Sequence, residues 1–233
     1  MAGQKENVLP IRPRGRPATL SADGIVETGL TLLDAHPSAE LSMAAIAREL
    51  GVTASALYRY FPTWTSLLDA MSDAAFRDFP DLPAALPWGD QLLFWQKQVV
   101  ALFRRHHGVL MLMGWEGQLA GPWLRVQMPV LMLMRQMGFR ERSLVETSSW
   151  FLAGTLGLVR TYLATDMDDI ASSEQLNLEA GMDYLTPEQQ VLLNETKGWI
   201  SAGDPDRILE TGFRALVEGV LRESRKLDQP TAD

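Results

Sequence analysis

The stretch that decides the fold is residues 42–61, which read SMAAIARELGVTASALYRYF. It contains two short helical segments on either side of a turn at Gly51, a residue that readily adopts the positive φ of a helix C-terminus. Apolar residues recur at helical spacing, as Ile46 and Leu50 before the turn and Leu57 after it. The pattern predicts a helix-turn-helix whose two helices share one small core.

The second helix of this motif is expected to have an inward and an outward side. At about 100° per residue, Leu57 and Phe61 point inward together, whereas Ser55 and Arg59 lie opposite them. Small residues allow a helix to enter the major groove of DNA, and an arginine recognises guanine through O6 and N7. The alternative interpretation is an ordinary helical hairpin whose tyrosines cover the edge of a core.

Hydroxyl groups border the outward side of this helix. Tyr58 and Tyr60 flank it, and Thr53 precedes it. Hydroxyl donors and helix N-termini both bind phosphate oxygens. We therefore predict that the helix recognises base edges through Arg59 and that its neighbours hold the DNA backbone.

The segment 21–68 resembles the DNA-binding domain of TetR-family regulators. The residues that carry the resemblance are Ile46-Ala47, Leu50-Gly51-Val52 and Leu57-Tyr58-Arg59-Tyr60-Phe61. The resemblance implies a homodimer that binds a palindromic double-stranded DNA operator. It also implies a larger helical domain, for ligand binding and dimerisation, behind the DNA-binding domain.

The resemblance assigns DNA contacts to individual positions. Family positions that hold the DNA backbone match Ser42, Thr53, Tyr58 and Tyr60. Family positions that face the bases match Ala44, Ala54, Ala56 and Arg59, with Ser55 on the same side. Because three of the four matched positions are alanine, direct hydrogen-bond readout is expected to be sparse, and thymine-methyl contacts and DNA shape to contribute more.

One position departs from the family, so that either the DNA affinity is lower or an N-terminal arm compensates. Where the family usually has a lysine after the phenylalanine–proline corner, this chain has Trp64, whose indole N–H can reach a phosphate but carries no charge. The arm at residues 1–20 carries Arg12, Arg14 and Arg16. Arginine extensions of this kind enter an adjacent minor groove, so we expect the arm to bind DNA; a solvated tail without function is the alternative.

The charge of the chain is unevenly distributed. The 233 residues carry a net charge of −8, yet residues 1–60 contain six basic and six acidic side chains. The entire excess of negative charge therefore lies in residues 61–233. An acidic body behind a neutral N-terminal region predicts modest non-specific affinity for DNA, because such binding depends on local phosphate contacts.

Composition and motifs exclude several classes of protein. There is no run of about 18 apolar residues and no signal-peptide pattern, so we expect a cytoplasmic protein without a membrane span. Cysteine is absent, which excludes disulfides and thiolate metal sites. No P-loop, dinucleotide fingerprint or nucleophile motif is present, and His106 and His107 diverge on a helix. We expect no metal, no cofactor and no catalysis, with a helical enzyme as the remote alternative.

The rest of the chain has helical periodicity without strand alternation, which predicts an all-α fold. Beyond the fourth helix, which follows Pro62-Thr63, helices are expected at about 88–107, 122–137, 141–164, 187–200 and 205–226. The predicted domains are the flexible arm at 1–20, the helix-turn-helix domain at 21–68 and the ligand-binding and dimerisation domain at 69–233.

The resemblance implies a small-molecule pocket among the middle helices. Residues 103–134 are rich in methionine and aromatic side chains, which suit adaptable apolar surfaces and flat ligands. The candidate ligand contacts are Phe103, His107, Met111, Trp115, Trp123, Gln127, Trp150 and Tyr162. The alternative is that these side chains simply fill the core.

The C-terminal helix has an amphipathic stripe made of Leu209, Phe213, Leu216 and Val220. Either this stripe packs within the monomer, or, as the resemblance implies, the helix and the one at 141–164 pair with their symmetry mates in a four-helix interface. Gly154 and Gly157 are then expected to allow close approach.

Together these features predict a cytoplasmic homodimeric repressor that leaves its operator when an apolar or aromatic small molecule binds. Release is expected if the ligand prefers a body conformation in which the two DNA-binding domains no longer match successive major grooves. A transcriptional activator and a ligand-independent DNA-binding regulator of the same fold are the alternatives.

Overall fold

The computed structural model describes residues 20–35, 41–112, 121–165, 181–201 and 203–227. Within these ranges the chain is helical and has no strand, which confirms the predicted all-α class. The helices are α1 (Ala22–Ala35), α2 (Met43–Glu49), α3 (Ala54–Tyr58), α4 (Trp64–Phe76), α5 (Trp88–Arg105), α6 (His107–Leu112), α7 (Trp123–Gln136), α8 (Glu141–Thr165), α9 (Pro187–Ser201) and α10 (Pro205–Leu227), with a 3₁₀ turn at Met182–Tyr184.

Helices α1 to α3 and the start of α4 form the head of the molecule, and short-range signals set their ends. The Ser42 side chain accepts a hydrogen bond of 3.2 Å from the Ala45 N–H, which begins α2. Gly51 follows α2 with a φ of 67°, as the turn requires. Thr63 and Ser66 form a reciprocal capping box at the start of α4.

Helix α3 is shorter than the predicted second helix of the motif, which includes Phe61. It ends at Tyr58, and the N–H groups of Tyr60 and Phe61 both donate to the Leu57 carbonyl, at 2.9 and 3.0 Å. Pro62 disfavours the helical conformation at the residue before it, so the chain leaves the helix here.

The head encloses its own core. Ile25 from α1, Ile46 from α2, Leu57 from α3, and Leu67 and Met71 from α4 have no exposed surface. Complete burial of one such side chain contributes about 1.5–3 kcal/mol. Since Leu57 is the buried residue of α3, this single side chain holds the helix on the head.

Helices α5 to α10 form the body. Helix α10 packs along α8 and against α5. Close approach depends on two glycines: a Cβ at Gly154 would lie 2.8 Å from the Leu216 side chain, and a Cβ at Gly212 would lie 2.7 Å from Leu158. Small residues at these points allow α8 and α10 to bury the aromatic and branched side chains between them.

The helix predicted over 88–107 ends two residues early, and a second short helix follows it. Helix α5 ends at Arg105, and His106 leaves the helical conformation with φ −130° and ψ 56° before α6 begins at His107. The imidazole of His106 lies 3.3 Å from the Asp34 carboxylate of α1. This interruption therefore accompanies a contact with a residue far away in the chain, which the local pattern does not indicate. The predicted helices from 122 onward form at nearly their predicted bounds.

The domain boundary predicted after residue 68 falls within α4. Its N-terminal end is in the head, whereas Phe76 at its C-terminal end packs into the body. Helix α4 therefore connects the two parts as one rigid element.

Candidate nucleic-acid interface and effector region

The outward side of α3 is open to solvent, as its helical periodicity predicts. Leu57 has no exposed surface and fixes the rotation of the helix. Ser55 and Arg59 are exposed, and Tyr58 is 48% exposed. This arrangement leaves the Arg59 guanidinium free to approach guanine acceptors in a major groove.

The three alanines predicted to face bases differ in exposure. Ala44 on α2 is exposed, and Ala54 and Ala56 on α3 are half-buried. Their methyl groups donate and accept no hydrogen bonds. Contact with thymine methyl groups is therefore the direct readout that these positions offer.

The hydroxyl groups near α3 retain donors for phosphate oxygens. The Ser42 hydroxyl accepts from the Ala45 N–H and keeps its own proton. Thr53 does not cap α3 through its side chain; its Oγ1 lies 3.0 Å from Ser55 Oγ. One hydroxyl of that pair donates to the other, so one proton remains available.

Tyr60 and Trp64 have roles within the head itself. The Tyr60 hydroxyl donates a hydrogen bond of 2.7 Å to the Leu20 carbonyl, 40 residues away in the chain. Trp64, in the first turn of α4, is half-buried and packs against the head core. The predicted DNA contacts of the arm, Arg12, Arg14 and Arg16, lie outside the described residues.

Two of the predicted ligand contacts lie together in the body. Phe103 and Trp123 have no exposed surface, and their ring centroids are 5.6 Å apart. Phe76 of α4 completes an aromatic cluster with centroid distances of 6.4 Å to Phe103 and 5.5 Å to Trp123. Edge-to-face pairs of this kind contribute about 0.5–1.5 kcal/mol beyond their buried area.

The two buried tryptophans of the body differ in the state of their indole N–H. Trp95 Nε1 donates to the Val126 carbonyl at 2.7 Å. Trp123 Nε1 has no hydrogen-bond partner among the described residues, and the same is true of Gln96 Oε1. A buried polar group without a partner costs about 1–3 kcal/mol. The aromatic cluster thus contains a donor that an acceptor oxygen would satisfy.

The other predicted ligand contacts lie elsewhere. The Tyr162 hydroxyl donates to Asp206 Oδ1 at 2.6 Å, and Arg104 both bonds that hydroxyl and stands over the ring. Trp150 lies on the surface against Gly219 of α10 and is 37% exposed. His107 and Gln127 are half-buried, whereas the Met111 side chain and Trp115 lie outside what the structure describes. The structure therefore does not bring the eight residues into one site.

Two open grooves lie on the surface of the body. One, of about 380 Å³, runs between α5 and α10 past Arg104, Tyr162 and Asp206. The other, of about 620 Å³, lies between residues 81–91 and α7 and is bordered by Met132, which faces solvent. Met132 therefore does not line the aromatic cluster, although it belongs to the methionine-rich stretch.

Polar contacts join α1 and α4 to the body. The Asp34 carboxylate of α1 accepts from the Gly108 N–H at 3.2 Å and lies beside His106. On α4, Asp73 forms an ion pair of 2.9 Å with Arg125 of α7. Sequence reasoning missed Asp34 and Phe76, because their partners are distant in the chain and no local signal marks them.

Packing within the chain accounts for most of the predicted dimer stripe. Leu209, Phe213 and Val220 of α10 are buried against the body, and Leu216 fills the space beside Gly154. Gly157 differs, since a Cβ there would meet no described residue within 4 Å. The open side of α8 around Gly157 is therefore the part of the predicted interface that intrachain packing leaves free.

None of the helices in the described part of the chain has both the length and the apolar character that crossing a membrane requires.

Comparison with known sequences identifies relatives of the head and of part of the body. The family described as "Bacterial regulatory proteins, tetR family" matches residues 25–71. The HTH-type transcriptional repressor DrrR1 of Streptomyces coeruleorubidus is 34% identical over 154 residues, which cover 64% of this chain and 56% of the repressor. The chain thus matches little more than half of that relative's length.

Solved structures share the fold over most of the chain. The TetR family protein ActR of Streptomyces coelicolor in complex with actinorhodin has a TM-score of 0.69 at 21% identity, covering 89% of this chain and 99% of ActR. BioQ with its double-stranded DNA operator has a TM-score of 0.55 at 20% identity, covering 70% of this chain and 98% of BioQ. At these identities the likeness shows the fold alone.

Proposed function

This chain belongs to the TetR family of bacterial regulatory proteins, and on that premise we propose that it is a homodimeric transcriptional repressor that binds a palindromic DNA operator in the cytoplasm. The observation that carries the proposal is the geometry of α3: buried Leu57 turns Ser55, Tyr58 and Arg59 outward on a helix that fits a major groove. DrrR1 is named as a transcriptional repressor, and BioQ is solved with its DNA operator; both support the proposal that this chain binds an operator.

Operator recognition in this proposal relies on few base-specific hydrogen bonds. Arg59 reads guanine, and Ala44, Ala54 and Ala56 contact thymine methyl groups. Ser42, Thr53 and Tyr58 hold phosphates. Because Arg59 is the one strong hydrogen-bonding reader among the described residues of each head, sequence-dependent DNA shape contributes a large share of the specificity.

We further propose that the aromatic cluster is the effector site and that the effector is an apolar or aromatic molecule with an acceptor oxygen. Trp123 offers an unpaired N–H among the rings of Phe76 and Phe103. An acceptor oxygen there would satisfy the donor while flat apolar surface meets the rings. ActR, a protein of this fold, is solved in complex with actinorhodin, which supports effector binding by the body.

The release mechanism follows from the span of α4. Phe76 lies in the cluster, and the capping box at Thr63 lies in the head. An effector that separates Phe76 from Trp123 would tilt the whole helix and change the spacing of the two heads. DNA affinity falls to the extent that the effector prefers this conformation.

Binding-site selection from a randomised duplex library tests the proposed function. We expect the wild-type protein to enrich a palindromic sequence, and Arg59→Ala to bind that sequence about 5- to 150-fold more weakly with relaxed preference at one base pair per half-site. Arg142→Ala is the matched control, because Arg142 is an exposed arginine of the body paired with Glu146. Failure to enrich any duplex, or equal affinity of Arg59→Ala and Arg142→Ala, would contradict the proposal.

A further inference from the structure

Tyr60 connects the recognition helix to the point where the N-terminal arm begins. Its hydroxyl donates to the Leu20 carbonyl at 2.7 Å, and the ring is 40% exposed. Leu20 itself is half-buried and packs on the head core. The next residue, Ser21, accepts from the Gly24 N–H at 3.1 Å and caps α1. Hydrogen bonds at Leu20 and at Ser21 therefore both fix the backbone at the start of α1.

The hydrogen bond to Leu20 limits what Tyr60 can do for DNA. A tyrosine hydroxyl has one proton, and phosphate oxygens only accept hydrogen bonds. While Tyr60 donates to Leu20, it cannot also donate to a phosphate. Tyr58, two residues earlier, is 48% exposed and has no side-chain hydrogen bond within the described residues, so its proton remains available.

We infer that Tyr60 is a positioning residue for the arm: it holds Leu20 at the edge of the recognition helix so that Arg12, Arg14 and Arg16 start from beside the DNA-binding surface. This inference rests on the proposed DNA binding by the head. The three arginines lie outside the described residues, and Arg16 is four residues before Leu20 in the sequence. Because Leu20 is held on the head and few residues separate it from the arginines, the effective concentration of the arginines at the DNA rises.

A double-mutant cycle on the full chain tests the inference. The four proteins are wild type, Tyr60→Phe, the triple variant Arg12→Ala/Arg14→Ala/Arg16→Ala, and the combination of the two. The probe is the duplex that the wild-type protein selects from a randomised library, and affinity is measured by fluorescence anisotropy at several salt concentrations. Tyr58→Phe, alone and with the triple variant, is the matched control.

We expect Tyr60→Phe to weaken binding about two- to tenfold in the wild-type background, the range that one lost hydrogen bond produces. The same change is expected to have no effect once the three arginines are replaced. The triple variant should lower the slope of log affinity against log salt by about 0.9 for each arginine that contacts a phosphate. Tyr58→Phe should cause the same loss in both backgrounds, because it acts on phosphate directly.

Three results would overturn the inference while leaving the proposed function intact. The first is that Tyr60→Phe still weakens DNA binding when the three arginines are replaced. The second is that the Tyr60→Phe protein binds DNA like wild type. The third is that the triple variant has an unchanged DNA affinity and an unchanged salt slope. A loss that persists would mean that Tyr60 contacts DNA or stabilises the head itself. If the wild-type protein selects no duplex, it is the proposed function that fails.

Discussion

The helix-turn-helix of the head is built from much shorter helices than α5, α8 and α10 of the body. Helices α2 and α3 of the head have 7 and 5 residues, whereas α5, α8 and α10 of the body have 18, 25 and 23. A helix as short as α3 buries one side chain and has one outward face. A long helix meets different neighbours along its length and buries side chains in several directions.

This difference in helix length determines how well a functional surface can be predicted from the sequence in each part. Once Leu57 points inward, the outward position of Arg59 follows from the helical repeat. In the body, Phe103 lies in the aromatic cluster, Tyr162 bonds Asp206 and Trp150 lies on the surface of α8. The predicted DNA contacts Ser55, Tyr58 and Arg59 therefore share one exposed surface, whereas these three predicted ligand contacts lie in separate environments.

The largest effect is expected from removing the buried side chain of α3. Leu57→Ala should lower the free energy of unfolding of the head by about 2–5 kcal/mol, because it leaves a cavity under the recognition helix. DNA binding should be lost while the body stays folded and dimeric. Circular dichroism measures the stability, sedimentation measures the dimer, and fluorescence anisotropy measures the DNA affinity. Leu124→Ala is the control, since Leu124 is 56% exposed on α7. A Leu57→Ala protein with normal DNA affinity would contradict the claim that one residue holds α3.

The next largest effect is expected at the junction between head and body. A Cβ at Gly108 would lie 2.6 Å from the Leu33 backbone oxygen, so Gly108→Ala must displace α6 from α1. Overpacking of this kind costs about 1–3 kcal/mol. We expect a lower unfolding temperature and weaker DNA binding, because the hydrogen bond from Gly108 to Asp34 is disturbed as well. Wild-type values for both measurements would show that the junction does not couple the two parts.

A smaller effect on stability is expected to distinguish variants of the two buried tryptophans. Trp95→Phe loses the hydrogen bond to Val126 and should destabilise the body by about 0.5–1.5 kcal/mol, beyond the loss of ring volume. Trp123→Phe also loses ring volume, but it removes a donor that has no partner among the described residues, so it should destabilise the body less than Trp95→Phe does. Denaturant unfolding of both variants measures the contrast. Equal destabilisation by the two changes would mean that the Trp123 N–H is already satisfied.

The smallest effect concerns the proposed dimer surface. Gly157→Ala replaces glycine in a helix and should stabilise an isolated chain by about 0.5–1 kcal/mol, because none of the residues that the structure describes lies within 4 Å of the new Cβ. If α8 pairs closely with its symmetry mate, the same change should raise the dimer dissociation constant. Sedimentation equilibrium distinguishes these outcomes, and an unchanged dissociation constant would place the interface elsewhere. Gly154→Ala is the matched variant that clashes within the chain, with Leu216 at 2.8 Å.

Much of the head could be predicted because its signals are local. Ser42 and Gly51 act through hydrogen bonds and backbone preferences within a few residues, and each does what its position predicts. Tyr60 was the exception. Its hydroxyl meets a carbonyl 40 residues away, and no spacing within the motif indicates that bond.

The amino-acid sequence by itself determined the all-α class, the helix-turn-helix and the outward face of α3, because caps, glycine and the 3.6-residue period act over one or two turns. Only the tertiary structure decided that Phe76, Phe103 and Trp123 form one cluster and that Asp34 bonds the start of α6. It also decided that Gly157, rather than Gly154, faces open space. These outcomes depend on which helix lies against which. The physical reason is that burial in a multi-helix body is a property of the assembled packing rather than of any single helix.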